Sequence, residues 1–160
     1  MKEYFSTQER VDELHRILKE WKGTPHRHLC AVKGKGVDCT LFVWEVLKEL
    51  GLEKGREVQN VPMKETYIDY PPDRALHSRE EVLLNLLRTI PGGMELGKGV
   101  VPKTGDICCY KFGRSTSHMA IYFEGRIWQS IAKTGVYPEP FTTKKFRDKL
   151  STIFRVMEVE

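Results

Sequence analysis

VDCTLFVWEVLKEL, residues 37–50, is the stretch whose reading decides the fold. Leu41, Phe42, Val43, Trp44, Val46, Leu47 and Leu50 fall on nearly every side of a helix. A helix apolar all round is a buried one. Asp38 has the short acceptor side chain of an N-cap, and Gly51 offers the left-handed stop. The spacing therefore predicts a central helix with Cys39 in its first turn.

Upstream, Ser6 followed by Glu9 reads as a capping box. Val11, Leu14, Ile17, Leu18 and Trp21 then recur at helical spacing, which predicts an amphipathic helix near residues 7–21, ended by Gly23-Thr24-Pro25. A basic loop through Lys33-Gly34-Lys35-Gly36 leads into the central helix. Downstream, residues 52–76 are polar and contain Pro62, Pro71 and Pro72, which suits an ordered surface loop. Ser78 and Glu81 cap a third helix near 79–90, broken by Pro91-Gly92-Gly93. The period then shifts toward two, with strands expected at about 106–112, 117–123, 126–131 and 152–158 and a short helix near 142–149. Helices first and a mostly antiparallel sheet after them make an α+β arrangement. A chain of 160 residues suits one domain, spanning 1–160.

Composition narrows the partners. The net charge of +4 is modest and the basic residues are dispersed, with small clusters at Lys33 and Lys35 and at Lys144 and Lys145. There is no arginine-rich arm and no zinc-finger spacing, so nucleic acid is not an expected partner. No apolar run approaches the roughly 18 residues that span a bilayer. The charged start MKEYFSTQER lacks an apolar h-region, so a cytoplasmic location as synthesised is expected. Cys30, Cys39, Cys108 and Cys109 match no metal or redox spacing, and disulfides are not expected. Cys108 and Cys109 are adjacent in a strand, so they point to opposite faces as small buried hydrophobes.

Cys39 stands apart. Backbone N–H groups at a helix start favour a thiolate, and the same groups can receive an oxyanion. A neighbouring carboxylate, Asp38, opposes this in part. A nucleophile needs a base, and His118 opens the apolar strand HMAIYF. If Glu124-Gly125 is a two-residue turn, Phe123 pairs with Arg126 and Ala120 with Gln129. His118 and Gln129 then become diagonal neighbours on one face, and Gln129 can orient the imidazole. The remaining histidines lack such company. His26 and His28 flank Arg27 without a third ligand nearby, His15 lies on the outer face of the first helix, and His77 precedes a cap.

WKGTPHRHLCAVKGKGVDCTLFVWEVLKELG (21–51) resembles the nucleophile segment of the NlpC family of cell-wall cysteine peptidases, its phage-associated branch in particular. TGDICCYKFGRSTSHMAIYFEGRIWQSIAKTGV (104–136) resembles that family's second block, and FRVMEVE its closing strand. The resemblance implies a papain-like fold in which a cysteine-bearing helix packs on a histidine-bearing antiparallel sheet. It places Cys39 as nucleophile, His118 as base and Gln129 in the third slot, which is usually histidine. It sets His26, Asp38 and Ser117 around the nucleophile as candidate oxyanion or substrate-binding residues. His26 stands where the family usually has tyrosine.

The same resemblance implies hydrolysis of amide bonds in peptidoglycan peptides, of the γ-D-glutamyl–diamino acid type, with no metal and no organic cofactor. It also raises phage tail proteins as partners, with the chain virion-associated or released by lysis. Two other readings use the same residues. One is a phage tail assembly or structural protein with a degenerate peptidase fold. The other is a cysteine acyltransferase or deamidase, since one thiolate and base serve any acyl transfer.

Overall fold

The computed structural model describes residues 2–53 and 81–159. Helix α1 spans Gln8–Trp21 and buries Leu14, Ile17, Leu18 and Trp21. Its cap is Thr7, whose hydroxyl accepts from Arg10 N–H, so the expected capping box on Ser6 is shifted by one residue. With Thr7 as cap, Glu9 sits one position too early to reach back to the cap's N–H. Two short strands follow, β1 (Ala31–Val32) and β2 (Gly36–Val37), paired antiparallel as a small ribbon.

Helix α2 spans Cys39–Glu49, with Asp38 as cap and Gly51 in the left-handed region at φ 75°. Phe42, Val43 and Val46 are fully enclosed, as their all-round apolar pattern requires. Helix α3 (Val82–Leu87) is the described end of the third expected helix. Ser78, His77 and most of the 52–76 loop lie outside the described residues. Glu81 does precede α3, but its carboxylate accepts from Thr116 N–H instead of capping the helix.

One six-stranded antiparallel sheet forms the other layer: β3 (Gly93–Gly97), β4 (Ile107–Tyr110), β5 (His118–Phe123), β6 (Arg126–Ile131), β7 (Gly135–Pro140) and β8 (Leu150–Val156), with α4 (Lys144–Arg147) before the last strand. The spatial order is β3-β8-β4-β5-β6-β7. Glu124 and Gly125, at φ 46° and 87°, turn β5 into β6, and Phe123 pairs with Arg126. Both faces of the sheet are covered. α1, α2 and α3 pack with Cys109, Met119, Ile121, Trp128 and Phe154 on one face. Cys108, Tyr110, Ala120, Ile127 and Ile153 form a smaller cluster with Phe146 of α4 on the other. Cys108 and Cys109 therefore separate to opposite faces, both buried and free of disulfides. His15 is not on an open face: its ring stacks on Phe123, with centroids 4.6 Å apart. Among the described residues, no helix is long and apolar enough to cross a membrane.

Candidate active site

Asp38 fixes the start of α2 with both carboxylate oxygens. Oδ1 accepts from Leu41 N–H at 2.7 Å and Oδ2 from Leu29 N–H at 2.8 Å. One side chain thus caps the helix and pins the preceding loop to it. Asp38 is buried and both oxygens face the protein's own backbone, which makes it an architectural residue of the site.

The Cys39 thiol is seated against the start of β5. Sγ donates to Ser117 O at 3.6 Å and lies 3.8 Å from Thr40 Oγ1. The Met119 backbone also approaches it, so the thiol meets the main chain on either side of His118. Burial, and next the charge of Asp38, push the thiol's pKa up to about 11, against the opposing hydrogen bonds from Thr40 and Met119. The helix-start position was expected to favour the thiolate. Desolvation and the adjacent carboxylate outweigh it.

His118 is the first residue of β5 and is 9% exposed. It pairs with Tyr110 and so points to the face covered by α4. Its ring sits among Tyr110, Phe112 and Phe146, with centroids 5.8, 6.2 and 5.6 Å away. Its Nε2–H donates to Gln129 Oε1 at 2.6 Å, which leaves Nδ1 as the ring's basic nitrogen. Burial draws the imidazole's pKa down to about 4. The Gln129 hydrogen bond opposes this, while His26 and Lys145 add to it. With thiol and imidazole displaced in these directions, the resting pair is neutral on both sides. Among the described residues, no hydrogen bond joins Sγ to the His118 ring.

Ser117 contributes its backbone carbonyl to the thiol, while its hydroxyl accepts from Phe112 N–H at 3.4 Å within the β4–β5 connection. A carbonyl is an acceptor, so this contact holds the thiol proton and offers nothing to an oxyanion. His26 lies beside the start of α2 through a bridge to Val37. Ser130 Oγ–H donates to Val37 O at 2.7 Å, which spends its only proton. At 2.9 Å from His26 Nδ1, the same oxygen must accept, so a neutral His26 is protonated on Nδ1 and carries a lone pair on Nε2. Burial lowers the pKa of His26 and favours that neutral form, with Asp38 and Ser130 opposing. At Nε2 a neutral His26 is thus an acceptor, whereas a tyrosine hydroxyl at this position could donate.

Glu139 was not singled out from the sequence. Gln129, fully buried, donates through Nε2 to Glu139 Oε1 at 2.7 Å. No strand was expected between 131 and 142, where Pro138 and Pro140 stand on either side of Glu139. The available signal was the pair Val136-Tyr137 after Gly135, two residue types that favour strands. Among the described residues, no cluster of three His, Cys, Asp or Glu side chains suits a metal ion.

The sequence matches no family model and no curated protein. Among solved structures, the chain is similar to a protein described as similar to a lipoprotein of the NLP/P60 family, from Staphylococcus aureus subsp. aureus Mu50. The TM-score is 0.61 at 16% identity, over 96% of this chain and 43% of that one. The chain thus spans less than half the length of that relative. At that similarity the chain has the α+β, papain-like fold seen in the NLP/P60 (NlpC) family.

Proposed function

We propose that the protein is a cysteine peptidase that hydrolyses amide bonds in cell-wall peptides, with Cys39 as nucleophile, His118 as base and Gln129 as the residue that orients it. The observation that carries this reading is the His118–Gln129 hydrogen bond at 2.6 Å, one residue along β5 from the Ser117 carbonyl that receives the Cys39 thiol. It directs the imidazole N–H away and leaves Nδ1 free to take the thiol proton. The peptidase-like fold supports the same reading.

In the proposed sequence, His118 Nδ1 removes the Sγ proton as sulfur attacks the scissile carbonyl. The tetrahedral intermediate collapses, the C–N bond breaks, and the imidazolium protonates the leaving amine. Water then adds to the thioester, giving a proton to His118. The acid departs and the thiol recovers its proton. Backbone N–H groups at the thiol, those of Thr40 and Met119, would receive the oxyanion. Peptidoglycan peptides bearing a γ-D-glutamyl–diamino acid bond are the proposed substrate, and these steps call for no metal or organic cofactor.

The test is incubation of purified protein with peptidoglycan fragments, followed by detection of newly released amines. Native protein is expected to release them and Cys39→Ala is not. Equal release by both would end the reading. Products bearing an added amine acceptor instead of water would favour an acyltransferase.

The raised thiol pKa favours one rival, a tail-associated structural protein that keeps the fold without the activity. Stable association with phage tail proteins, together with no amine release, is what that rival requires.

A further inference from the structure

Gln129 differs from an acidic or imidazole partner in one respect: an amide can be turned either way round. Pointing its oxygen at His118 demands Nε2–H, whereas pointing its NH2 there demands a lone pair on Nε2 and moves the proton to Nδ1. The second arrangement would disable the base. Within the amide itself the two differ by a half-turn of one torsion. Something outside must choose between them.

We infer that Glu139 makes that choice, acting as a positioning residue at the far end of a Glu139–Gln129–His118 relay. Its carboxylate only accepts, and it receives Gln129 Nε2 at 2.7 Å. The amide oxygen is thereby forced toward His118, where it accepts Nε2–H at 2.6 Å. The polarity of the whole chain is set at its outer end. The relay rests on the register of β6 and β7. Ile127 pairs with Glu139 and Gln129 with Tyr137, so Gln129 and Glu139 are diagonal neighbours on one face.

The placement also resolves a charge problem. Developing imidazolium at His118 is helped by negative charge, yet a carboxylate at position 129 would be wholly buried, since Gln129 is 0% exposed. Glu139 lies on β7, an outer strand of the sheet, and is only partly buried. The charge stays partly solvated and reaches His118 through the amide dipole. Other charged or titratable groups near His118 are Cys39, His26, Lys145 and Tyr110; His26 and Lys145 disfavour the imidazolium. The Gln129 hydrogen bond opposes them, and Glu139 acts on His118 through that amide, while its charge also acts on Tyr110 on the same face.

This inference builds on the proposed roles of Cys39 and His118, and its test separates the two. Imidazole nitrogen chemical shifts are recorded on the intact protein at neutral pH without substrate, for the native chain and for Glu139→Gln and Glu139→Asp. Native His118 is expected to be protonated on Nε2 alone. In Glu139→Gln, whose end group can present oxygen or NH2, both tautomers should appear. kcat on peptidoglycan fragments should fall about tenfold with KM unchanged. Glu139→Asp keeps the acceptor-only character and should retain the single tautomer. A single Nε2–H tautomer in Glu139→Gln with native kcat overturns the inference. A tautomer change in a protein that never releases amines supports the relay and removes the peptidase reading.

Discussion

At the residue scale, the pair at the centre of the site is set by burial more than by mutual attraction. Cys39 is pushed to about 11 and His118 drawn to about 4. Between those values both groups are neutral, and in the proposed reaction the proton moves only as sulfur attacks. A preformed thiolate would react with iodoacetamide at a rate that levels off near neutral pH. Here the alkylation rate of Cys39 is expected to climb about tenfold per pH unit from pH 6 toward pH 10, following the thiolate fraction. Mass spectrometry of the Cys39 peptide over that range measures it, and a plateau below pH 8 would contradict the neutral pair. The positions of Cys39 at a helix start and of His118 at a strand start were legible in the sequence. Cys39 and His118 stand out because a helix start and a strand start each give a polar group a defined direction. His26 was visible as a residue, but its tautomer was not. That depends on Ser130 spending its proton on Val37, a contact between positions 93 residues apart.

At the scale of elements, the helix start carries the heaviest local load. Asp38 satisfies two backbone donors, one in α2 and one in the loop before it. Asp38→Ala strips both and should destabilise the protein by about 2–3 kcal/mol, from a lost cap and a second buried N–H left unpaired. Asp38→Asn keeps an acceptor for Leu41 but sets an amide N–H against Leu29 N–H, and about 1–2 kcal/mol is expected. Both variants remove a negative charge beside the thiol, so the alkylation profile of Cys39 should shift to lower pH. Urea unfolding and the alkylation series read the two effects separately. Unchanged stability in Asp38→Ala would show that the cap contributes little. The elements best read from sequence were those buried on a full face or all round, α2 above all, with β5 and β6. Both outer strands of the sheet went unrecognised. β3 is mostly exposed and carries two glycines, while β7 reads GVYPEP. An edge strand accepts proline because one side of its backbone has no partner, so its composition imitates a loop. Glu139 was missed for that reason, although its partner Gln129 was found.

At the scale of the molecule, the sheet is covered on both faces, and His118 belongs to the aromatic side of α4 instead of to solvent. An imidazole held there must stay neutral for the fold to be comfortable, and this couples the site to global stability. In the unfolded chain the ring takes its proton near the ordinary value of 6.5, while in the folded protein it waits until about 4. Between those values the unfolded state binds one more proton, so each step down in pH favours unfolding. Above 6.5 neither state is protonated and the effect is absent; below about 4 it is complete. A displacement of that size corresponds to roughly 3 kcal/mol. His26, also lowered by burial, acts in the same sense. Urea unfolding at pH 7, 5.5 and 4 should show stability falling through this window. In His118→Gln the same series should be flatter by about the His118 share, whatever that variant's absolute stability. Retention of the native slope in His118→Gln would place the acid sensitivity elsewhere. It would also mean that the imidazole is far less desolvated than its aromatic surroundings require.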